Sequence, residues 1–373
     1  MGLIGTSAVL AALQLAAAPP PRAPDPSFAA TIAALSEPGG VFFSDNLVSN
    51  ETSYLHVIPA LERLVAPGGA YLGVGPEQNF SYIARTRPAV AFIVDIRRDN
   101  LLLHLLLKAT FEGAATRLEY LCLLYARPCP ADPAPWRHRP LAELVGYIDR
   151  QALDTTFRRT SEAGLLGLVA GFGVPLTPDD VATIRRLHDE FVTDGLDLRF
   201  SAFGRRPMMN FPTIRQLYLE RDLAGRERSF LADDDGYQVV RQLQLTDRII
   251  PVVGDLAGTT AVAAVGRWLA ERRIPVGLFY LSNVEFYLLR GGTFDRFVAN
   301  LRQLPTGPTS LLTRSYFAVQ TGMPHPDQQG DHLSVPLLQY VDRFFEVVGA
   351  DPADLTYWRL MTEGMIPLGQ AGR

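Results

Sequence analysis

Two short apolar runs on either side of a glycine-containing turn constrain this sequence most. Residues 70–74 predict a buried strand, residues 77–85 predict a helix, and residues 90–95, Val-Ala-Phe-Ile-Val-Asp, predict a second strand rich in β-branched and aromatic side chains. The order strand, helix, strand is typical of a βαβ unit, in which the two strands are parallel and buried on both faces. The chain is therefore expected to fold around a parallel sheet covered by helices.

The same alternation returns in the second half of the chain. The further predicted elements are helices over residues 54–64 and 100–111, a strand over 248–255, a helix over 259–272, a strand over 276–282, a helix over 294–304, a strand over 309–316 and a helix over 335–348. We predict an α/β, Rossmann-like fold, with a mostly parallel sheet, helices on both faces and a helical insertion.

The insertion separates two parts of one predicted domain. Residues 27–112 and 236–373 form the Rossmann-like parts, and residues 113–235 form a mainly helical insertion or lid. Within it, Thr177-Pro-Asp-Asp predicts a helix start, because a threonine cap, a first-turn proline and two acids all favour a helix N-terminus. Residues 1–26 are assigned to a signal-like or disordered N-terminal segment.

The compartment of the protein stays open between two alternatives. Residues 3–18 form an apolar segment of secretory length, which indicates export, but no basic residue precedes them and Pro19 follows closely. The alternative is a cytoplasmic protein with a loosely docked N-terminal helix. Cys122 lies in an apolar run, which favours buried thiols, although an oxidising compartment would permit a bridge to Cys129 if the chain turned back at Pro128.

Composition and missing motifs exclude several classes of function. A formal charge of -4 provides no basic footprint for nucleic acid, and no segment after the N-terminus is apolar enough to span a bilayer. The single lysine, Lys108, follows a leucine run rather than a glycine-rich loop, so no P-loop is present. There is no Gly-x-Ser-x-Gly elbow and no His-Glu-x-x-His pair.

One group of metal-ligand residue types has no recognisable spacing. It consists of His325, Asp327, Asp331 and His332. Because this spacing matches no metal motif, a solvated loop is the favoured interpretation and no metal site is predicted.

The turn after the first predicted strand is the first candidate ligand site. Gly73 and Gly75 let the backbone turn sharply and approach a ligand, and the helix that begins near Gln78 offers unpaired N–H groups. Asp95 ends the second strand, where a carboxylate can accept hydrogen bonds from ribose hydroxyls, and Asp255 ends a later strand on the same edge. The alternatives are a structural corner at the glycines and, for Asp95, a surface acid or a helix cap that pairs with Arg97 or Arg98.

This order resembles the class I S-adenosylmethionine-dependent methyltransferases over residues 71–95 and 248–316. The resemblance implies S-adenosylmethionine as cofactor, with Gly73 and Gly75 near its methionyl part, Asp95 at the ribose and Asp255 near the adenine. The phrase Gly-Val-Gly-Pro-Glu-Gln-Asn-Phe is also similar to that of uncharacterised bacterial proteins with a methyltransferase-like fold.

The chain departs from that family's pattern at two positions. Tyr71 stands where the family usually has an acid, and Glu77 stands where it has a third glycine. A nicotinamide enzyme ranks lower, because Gln78 occupies the position of the last glycine in its Gly-x-Gly-x-x-Gly turn.

Candidate catalytic and substrate residues follow the fourth strand and precede the first helix. The resemblance places Tyr280 and the residues after it beside the transferred methyl, and we assign Asn283 and Glu285 as catalytic candidates, with Glu285 as a general base. Asn50 and Glu51 join Tyr280 as substrate candidates if the two loops meet.

Two functional hypotheses follow. The first is an S-adenosylmethionine-dependent methyltransferase-like protein that acts on a small or medium molecule. The second is a non-catalytic, exported Rossmann-like protein that binds a ligand or partner, and genuine export would favour it, because S-adenosylmethionine is a cytoplasmic metabolite.

Overall fold

A single sheet organises the part of the chain that the structure describes. The computed structural model describes residues 26–44, 46–202, 211–350 and 355–368, so the predicted signal-like segment lies outside the described residues apart from Pro26. The strands are β1 Ala70–Gly73, β2 Val90–Asp95, β3 Ile249–Val253, β4 Val276–Tyr280, β5 Leu311–Phe317 and β6 Ser334–Tyr340.

The strand order is β3-β2-β1-β4-β5-β6. Strands β1 to β5 are parallel to their neighbours, with Ala70 beside Val90 and Leu278 beside Leu311, and β6 is antiparallel to β5. Because the order reverses between β1 and β4, the loops after these two strands diverge and open a crevice at the carboxyl edge of the sheet. The predicted α/β fold with a mostly parallel sheet is confirmed.

Helices flank the sheet. They are α1 Pro26–Leu35, α2 Ile58–Leu64, α3 Asn79–Thr86, α4 Arg98–Gly113, α5 Arg117–Leu124, α6 Leu141–Arg150, α7 Thr155–Gly171, α8 Pro178–Asp194, α9 Ile214–Leu219, α10 Asp234–Leu245, α11 Ala261–Glu271, α12 Val284–Arg290, α13 Phe294–Leu301, α14 Ala318–Thr321, α15 Val341–Ala350 and α16 Tyr357–Thr362. A 3₁₀ helix, Tyr54–Val57, leads directly into α2. No helix in the described ranges is both long and apolar enough to cross a membrane.

The predicted helical insertion packs on helix α4. This helix is buried on all sides from Asn100 to Phe111, and it contacts α5 and α10 as well as α7 and α8. A helix that is apolar around its whole circumference needs cover on every face, and α7 and α8 supply part of that cover. The boundaries of the insertion at residues 113 and 235 stay a prediction.

The only lysine of the chain is buried within this layer. Lys108 Nζ lies 3.0 Å from Glu112 Oε1 and 2.8 Å from Asp247 Oδ1. A buried ammonium needs such carboxylate partners, because it has lost its hydration. Lys108 therefore has a structural environment, in agreement with the exclusion of a P-loop.

The helix predicted over residues 335–348 is wrong in its first half. Ser334–Tyr340 forms strand β6, and α15 begins only at Val341. Pro336 lacks an N–H, which an edge strand tolerates and a helix interior does not, and it lies opposite Ser315 of β5. The short apolar run fits either element in isolation, so pairing with β5 decides the outcome.

The favoured interpretation of two buried thiols is also wrong. Cys122 and Cys129 form a disulfide with a Cα–Cα distance of 5.6 Å. The chain reverses earlier than Pro128, because Ala126 adopts a left-handed φ of 47° and the Arg127 N–H donates to the Cys122 carbonyl at 2.9 Å.

Candidate functional site

A cleft of about 230 Å³ lies at the crevice between β1 and β4. Its walls come from the loops after strands β1, β2, β3 and β4 and from the segment between α1 and the 3₁₀ helix. Ligands of open α/β sheets bind at this position, because several strand ends and helix N-termini converge there. Of the predicted site residues, the cleft is lined by Asn50, Gly75, Gln78, Asp95, Asp255, Tyr280 and Asn283.

The two glycines of the first turn have different roles. Gly75 lines the cleft with a φ of 79°, a conformation that favours glycine. Gly73 is absent from the lining residues that are described, and a Cβ there would lie 2.0 Å from Asn79 Oδ1. The expectation that Gly73 approaches a ligand is therefore not met, because close packing inside the turn accounts for this glycine.

Asn79 holds the turn together from the start of α3. Its Nδ2 donates to the carbonyls of Val74 at 2.9 Å and Pro76 at 2.7 Å. The Tyr71 hydroxyl donates to Asn79 Oδ1 at 2.6 Å. Tyr71, which departs from the methyltransferase pattern, thus replaces an acid with a buried structural donor.

A buried histidine supports the turn from below. His104 Nε2 lies 2.9 Å from the Gly75 carbonyl oxygen. Burial lowers the pKa of His104 to about 4, so the ring is neutral near pH 7 and its Nε2–H donates to the carbonyl. The turn is therefore fixed on both sides, while Val74, Gly75 and Pro76 line the cleft.

Asp95 and Arg97 form one ion-paired wall of the cleft. Asp95 Oδ2 accepts from Arg97 Nη2 at 3.0 Å, and Oδ1 accepts from Arg97 Nε at 3.1 Å. Arg97 Nη1 donates to the Ser44 carbonyl at 3.0 Å. The pairing considered as the alternative for Asp95 is thus present, and both members of the pair line the cleft.

Asp255 lies at the end of β3 on the same wall. Its Oδ1 accepts from the Ala257 N–H at 2.8 Å, and its own N–H donates to Glu37 Oε1 at 2.8 Å. Glu37 Oε2 also accepts from the N–H groups of Thr260 and Ala261 at the start of α11. Asp255 is therefore held in place by a carboxylate from the distant segment after α1.

The floor of the cleft is a buried hydrogen-bond network centred on Glu51. This carboxylate is 1% exposed. Its Oε1 accepts from the Tyr280 hydroxyl at 2.6 Å and the Ser282 hydroxyl at 2.5 Å, and its Oε2 accepts from Gln78 Nε2 at 3.2 Å. Burial raises the pKa of Glu51, and these hydrogen bonds oppose the rise. Glu51 does not line the cleft, whereas Tyr280, Ser282 and Gln78 do.

Two features of this floor indicate a ligand site. Gln78 is 5% exposed, and its Oε1 has no hydrogen-bond partner among the described residues. Ser282 has a left-handed φ of 52°, which is costly for a non-glycine residue, and its carbonyl accepts from the Ser315 N–H at 2.7 Å. An unpaired acceptor and a strained serine therefore lie together at the sheet edge.

Sequence reasoning did not select Ser282. The available signal was a serine directly after a buried strand and before a helix, a position where strained side chains are often functional.

Glu285, predicted as the general base, lies away from the cleft. It is fully buried, and its Oε2 is 3.4 Å from Arg314 Nε. Burial raises the pKa of Glu285, and the Arg314 charge opposes the rise. The turn of α12 directs this side chain under β5, whereas Asn283, two residues earlier, lines the cleft.

Glu77, at the other departure from the methyltransferase pattern, is also buried. Its Oε2 accepts a hydrogen bond from the Tyr120 hydroxyl at 3.4 Å. Burial raises the pKa of Glu77 to about 7, and hydrogen bonds from Tyr218 and Tyr120 oppose the rise. Where the methyltransferase pattern has a glycine, this chain therefore has a buried carboxylate that faces the hydroxyls of Tyr120 and Tyr218.

One protein family matches more than half of the chain. The family described as "Domain of unknown function (DUF7790)" matches residues 46–127 and 210–347, which together exceed half of the chain. The chain belongs to this family. No curated protein matches it.

The matched segments contain the carboxylates and hydroxyls described above. Glu51 and Asp95 lie in the first segment, and Asp255, Tyr280 and Ser282 lie in the second. Residues 128–209, which include α6, α7 and α8, lie between the two segments. The cleft floor thus belongs to the family domain rather than to the helices that cover α4.

An aromatic wall completes the cleft and was missed by the sequence reasoning. Phe42 and Phe43 lie with their ring centroids 5.3 Å and 5.8 Å from that of Tyr287. All three rings line the cleft, and Phe200 is the only described lining residue from the predicted insertion. The signal in the sequence was the pair of phenylalanines outside any predicted element, since such residues need cover from elsewhere.

Proposed function

We propose that the protein binds S-adenosylmethionine in the cleft between β1 and β4 and is methyltransferase-like, acting on a small or medium molecule. The observation that carries this proposal is that Gly75, Asp95 and Asp255 line one cleft, although they follow three different strands. These are three of the positions that the resemblance implies for the cofactor.

The chemistry of the lining residues fits that cofactor. The Gln78 Oε1 acceptor has no described partner, and the ammonium of the methionyl part is a donor of the required kind. Asp95 Oδ1 accepts from both the backbone N–H and Nε of Arg97, whereas Oδ2 accepts from Arg97 Nη2 and has a further lone pair for a ribose hydroxyl. The rings of Phe42 and Tyr287 offer apolar surface at the same cleft.

The floor network supplies a proton acceptor for the proposed reaction. S-adenosylmethionine supplies an electrophilic methyl group when it is bound. A hydroxyl or amine substrate must lose a proton as it is methylated. Glu51 can take that proton at Oε1 through the hydroxyl of Ser282 or Tyr280, because both hydroxyls bond this oxygen and line the cleft. Asn50 and Asn283 are the amides available to orient the substrate.

Calorimetric titration of the full chain with S-adenosylmethionine, and separately with NAD, tests the proposal. We expect S-adenosylmethionine alone to bind. Asp95→Ala should weaken that binding by about 1–3 kcal/mol, the scale of a lost hydrogen bond to a charged group. The matched control is Asp342→Ala, which removes an exposed carboxylate of α15 and should leave the affinity unchanged.

Circular dichroism of Asp95→Ala must show a folded protein, because the substitution removes the ion pair between Asp95 and Arg97. Failure of the native chain to bind S-adenosylmethionine would refute the proposal. Equal affinities of a folded Asp95→Ala variant and the native chain would remove Asp95 from the site.

A second candidate, a non-catalytic exported binding protein, is favoured by the disulfide between Cys122 and Cys129. Disulfides persist mainly in oxidising compartments, where S-adenosylmethionine is not supplied. Mass spectrometry of the protein from its native host, with thiols alkylated before reduction, separates the candidates. Export predicts an N-terminus between Ala17 and Ala23 and no alkylated cysteine. An intact Met1 or Gly2 with two alkylated cysteines would contradict export.

A further inference from the structure

Three potential metal ligands from distant parts of the chain meet outside the cleft. They are His56 in the 3₁₀ helix, Glu220 after α9 and His332 before β6, and their ligand atoms all lie within 4.8 Å of one another. His56 Nε2 is 3.9 Å from Glu220 Oε1, and the two imidazole rings meet edge to face with centroids 4.8 Å apart. We propose that these three side chains bind one Zn²⁺ ion.

The ligand set is suited to zinc. Two imidazoles and one carboxylate are a common set of protein ligands for Zn²⁺. Three protein ligands leave the fourth coordination position of the ion for water. At metal–ligand distances near 2.1 Å, tetrahedral ligand atoms lie about 3.4 Å apart. The separation between His56 and Glu220 is 3.9 Å, and all three ligand atoms lie within 4.8 Å of one another. Side-chain rotations that bring the ligand atoms closer would close the site.

Hydrogen bonds next to each ligand fix the three segments relative to one another. The Tyr54 hydroxyl, two residues before His56, donates to the Leu217 carbonyl at 3.0 Å in the helix that precedes Glu220. The Leu333 N–H, next to His332, donates to Thr52 Oγ1 at 3.1 Å. The three segments are therefore tied together by bonds that do not involve the proposed ligands.

The surroundings of Glu220 leave it available as a ligand. Among the described residues, no lysine or arginine side chain forms an ion pair with it, and His56 Nε2 lies 3.9 Å from its Oε1. Its Oε1 accepts the Arg221 backbone N–H at 3.0 Å. A half-buried carboxylate with no arginine partner among the described residues gains much from a nearby cation.

The proposed site is independent of the cofactor proposal. None of its three ligands is among the described residues that line the cleft, and all three lie in the segments matched by the family. Loss of Zn²⁺ binding and loss of S-adenosylmethionine binding are therefore separate results.

The test uses the full chain without an affinity tag, stripped of metal with a chelator and titrated with Zn²⁺ by calorimetry and with Co²⁺ by visible absorption. We expect one ion per chain and the visible bands of four-coordinate Co²⁺. His332→Ala and Glu220→Gln should each weaken Zn²⁺ binding by at least about 100-fold, since even residues behind the ligands contribute 10- to 100-fold. The matched control is His138→Ala, which removes an exposed histidine and should leave binding unchanged.

Two results would overturn the site. One is an absence of Zn²⁺ binding by the native chain at micromolar concentrations. The other is Zn²⁺ binding that survives both His332→Ala and Glu220→Gln, which would place the ion elsewhere. Thermal unfolding without metal must show that both variants are folded. Because the two substitutions lie in different segments, one variant still tests the site if the other fails to fold.

Discussion

Two buried glutamates near the end of β4 have opposite surroundings. Glu51, at the cleft floor, is bonded by neutral donors, namely the hydroxyls of Tyr280 and Ser282 and the amide of Gln78. Glu285, only five residues after Tyr280, is paired with the buried charge of Arg314. Burial raises the pKa of both carboxyls. The difference is that the donors of Glu51 reach the cleft, while the partner of Glu285 fixes it within the protein.

The comparison shows how burial alone fails to identify a reactive acid. A carboxylate balanced by arginine carries a fixed charge, and its pair contributes mainly to the arrangement of the interior. A carboxylate held by hydroxyls can exchange a proton with them without separating charges. We therefore expect substitutions around Glu285 to change stability, and those around Glu51 to change the chemistry of the cleft.

The largest expected effect comes from breaking the charged pair. Arg314→Met leaves Glu285 buried without a counter-ion and removes the bond from Arg314 Nη1 to the Leu360 carbonyl. The free energy of unfolding should fall by about 3–5 kcal/mol. Urea denaturation followed by circular dichroism measures this loss.

The control for that experiment is the double variant Glu285→Leu with Arg314→Met. Replacing both members of a buried ion pair with apolar residues is often close to neutral, so most of the stability should return. A double variant no more stable than Arg314→Met would show that the pair is not the source of the loss.

A smaller effect of opposite sign is expected at Glu77, which like Glu51 is held by hydroxyls. Its pKa is raised to about 7 from 4.5, so the folded state favours the protonated form. The contribution of this group to stability is full below about pH 4.5 and is lost as the pH rises through about 7. Glu77→Gln should therefore match the native chain at pH 4 and exceed its free energy of unfolding by about 3 kcal/mol at pH 8.

Urea denaturation at several pH values checks the Glu77 prediction. Glu346→Gln, on the exposed surface of α15, is the matched control and should show no such divergence. A constant difference between Glu77→Gln and the native chain from pH 4 to pH 8 would rule out the raised pKa.

The smallest expected effect is at the cleft floor. Tyr280→Phe removes one hydroxyl from Glu51 and leaves Ser282 and Gln78 as donors. The loss of unfolding free energy should be about 1 kcal/mol, typical of one hydrogen bond. If the proposed function holds, methyl transfer should decline more than S-adenosylmethionine affinity does. Tyr340→Phe, at the edge of the sheet, is the control, and a loss as large as that of Arg314→Met would contradict the comparison.

Much of the fold follows from local patterns. The strands at Ala70–Gly73 and Val90–Asp95 match their predicted positions closely, because both are buried on nearly every residue and bounded by turn residues. Strand β6 was mistaken for a helix because its pairing with β5 is a long-range property. The disulfide was not favoured because the reversal at Ala126 depends on a left-handed residue that carries no glycine signal.

Residues of the candidate site could be predicted from the sequence only where they lie at the carboxyl ends of parallel strands. Asp95 and Asp255 line the cleft because each follows a parallel strand that ends at the same edge. Glu51 and Tyr280 were selected separately, but their hydrogen bond joins residues 229 positions apart, so only the fold brings them together. Glu285 does not line the cleft, although Asn283 does. The two residues are two positions apart in the strand-to-helix turn, and their side chains point in different directions.

The all-round burial of α4 has a consequence for any shortened version of this chain. The helices between the two family-matched segments pack against α4 and cover leucines of that helix. Helix α4 is buried on all sides, so it has no polar face that could be exposed to water. A chain reduced to the two matched segments would expose an apolar ridge on every molecule. Such a fragment should self-associate through α4, so the helical block maintains the solubility of the domain even though it contributes little to the cleft.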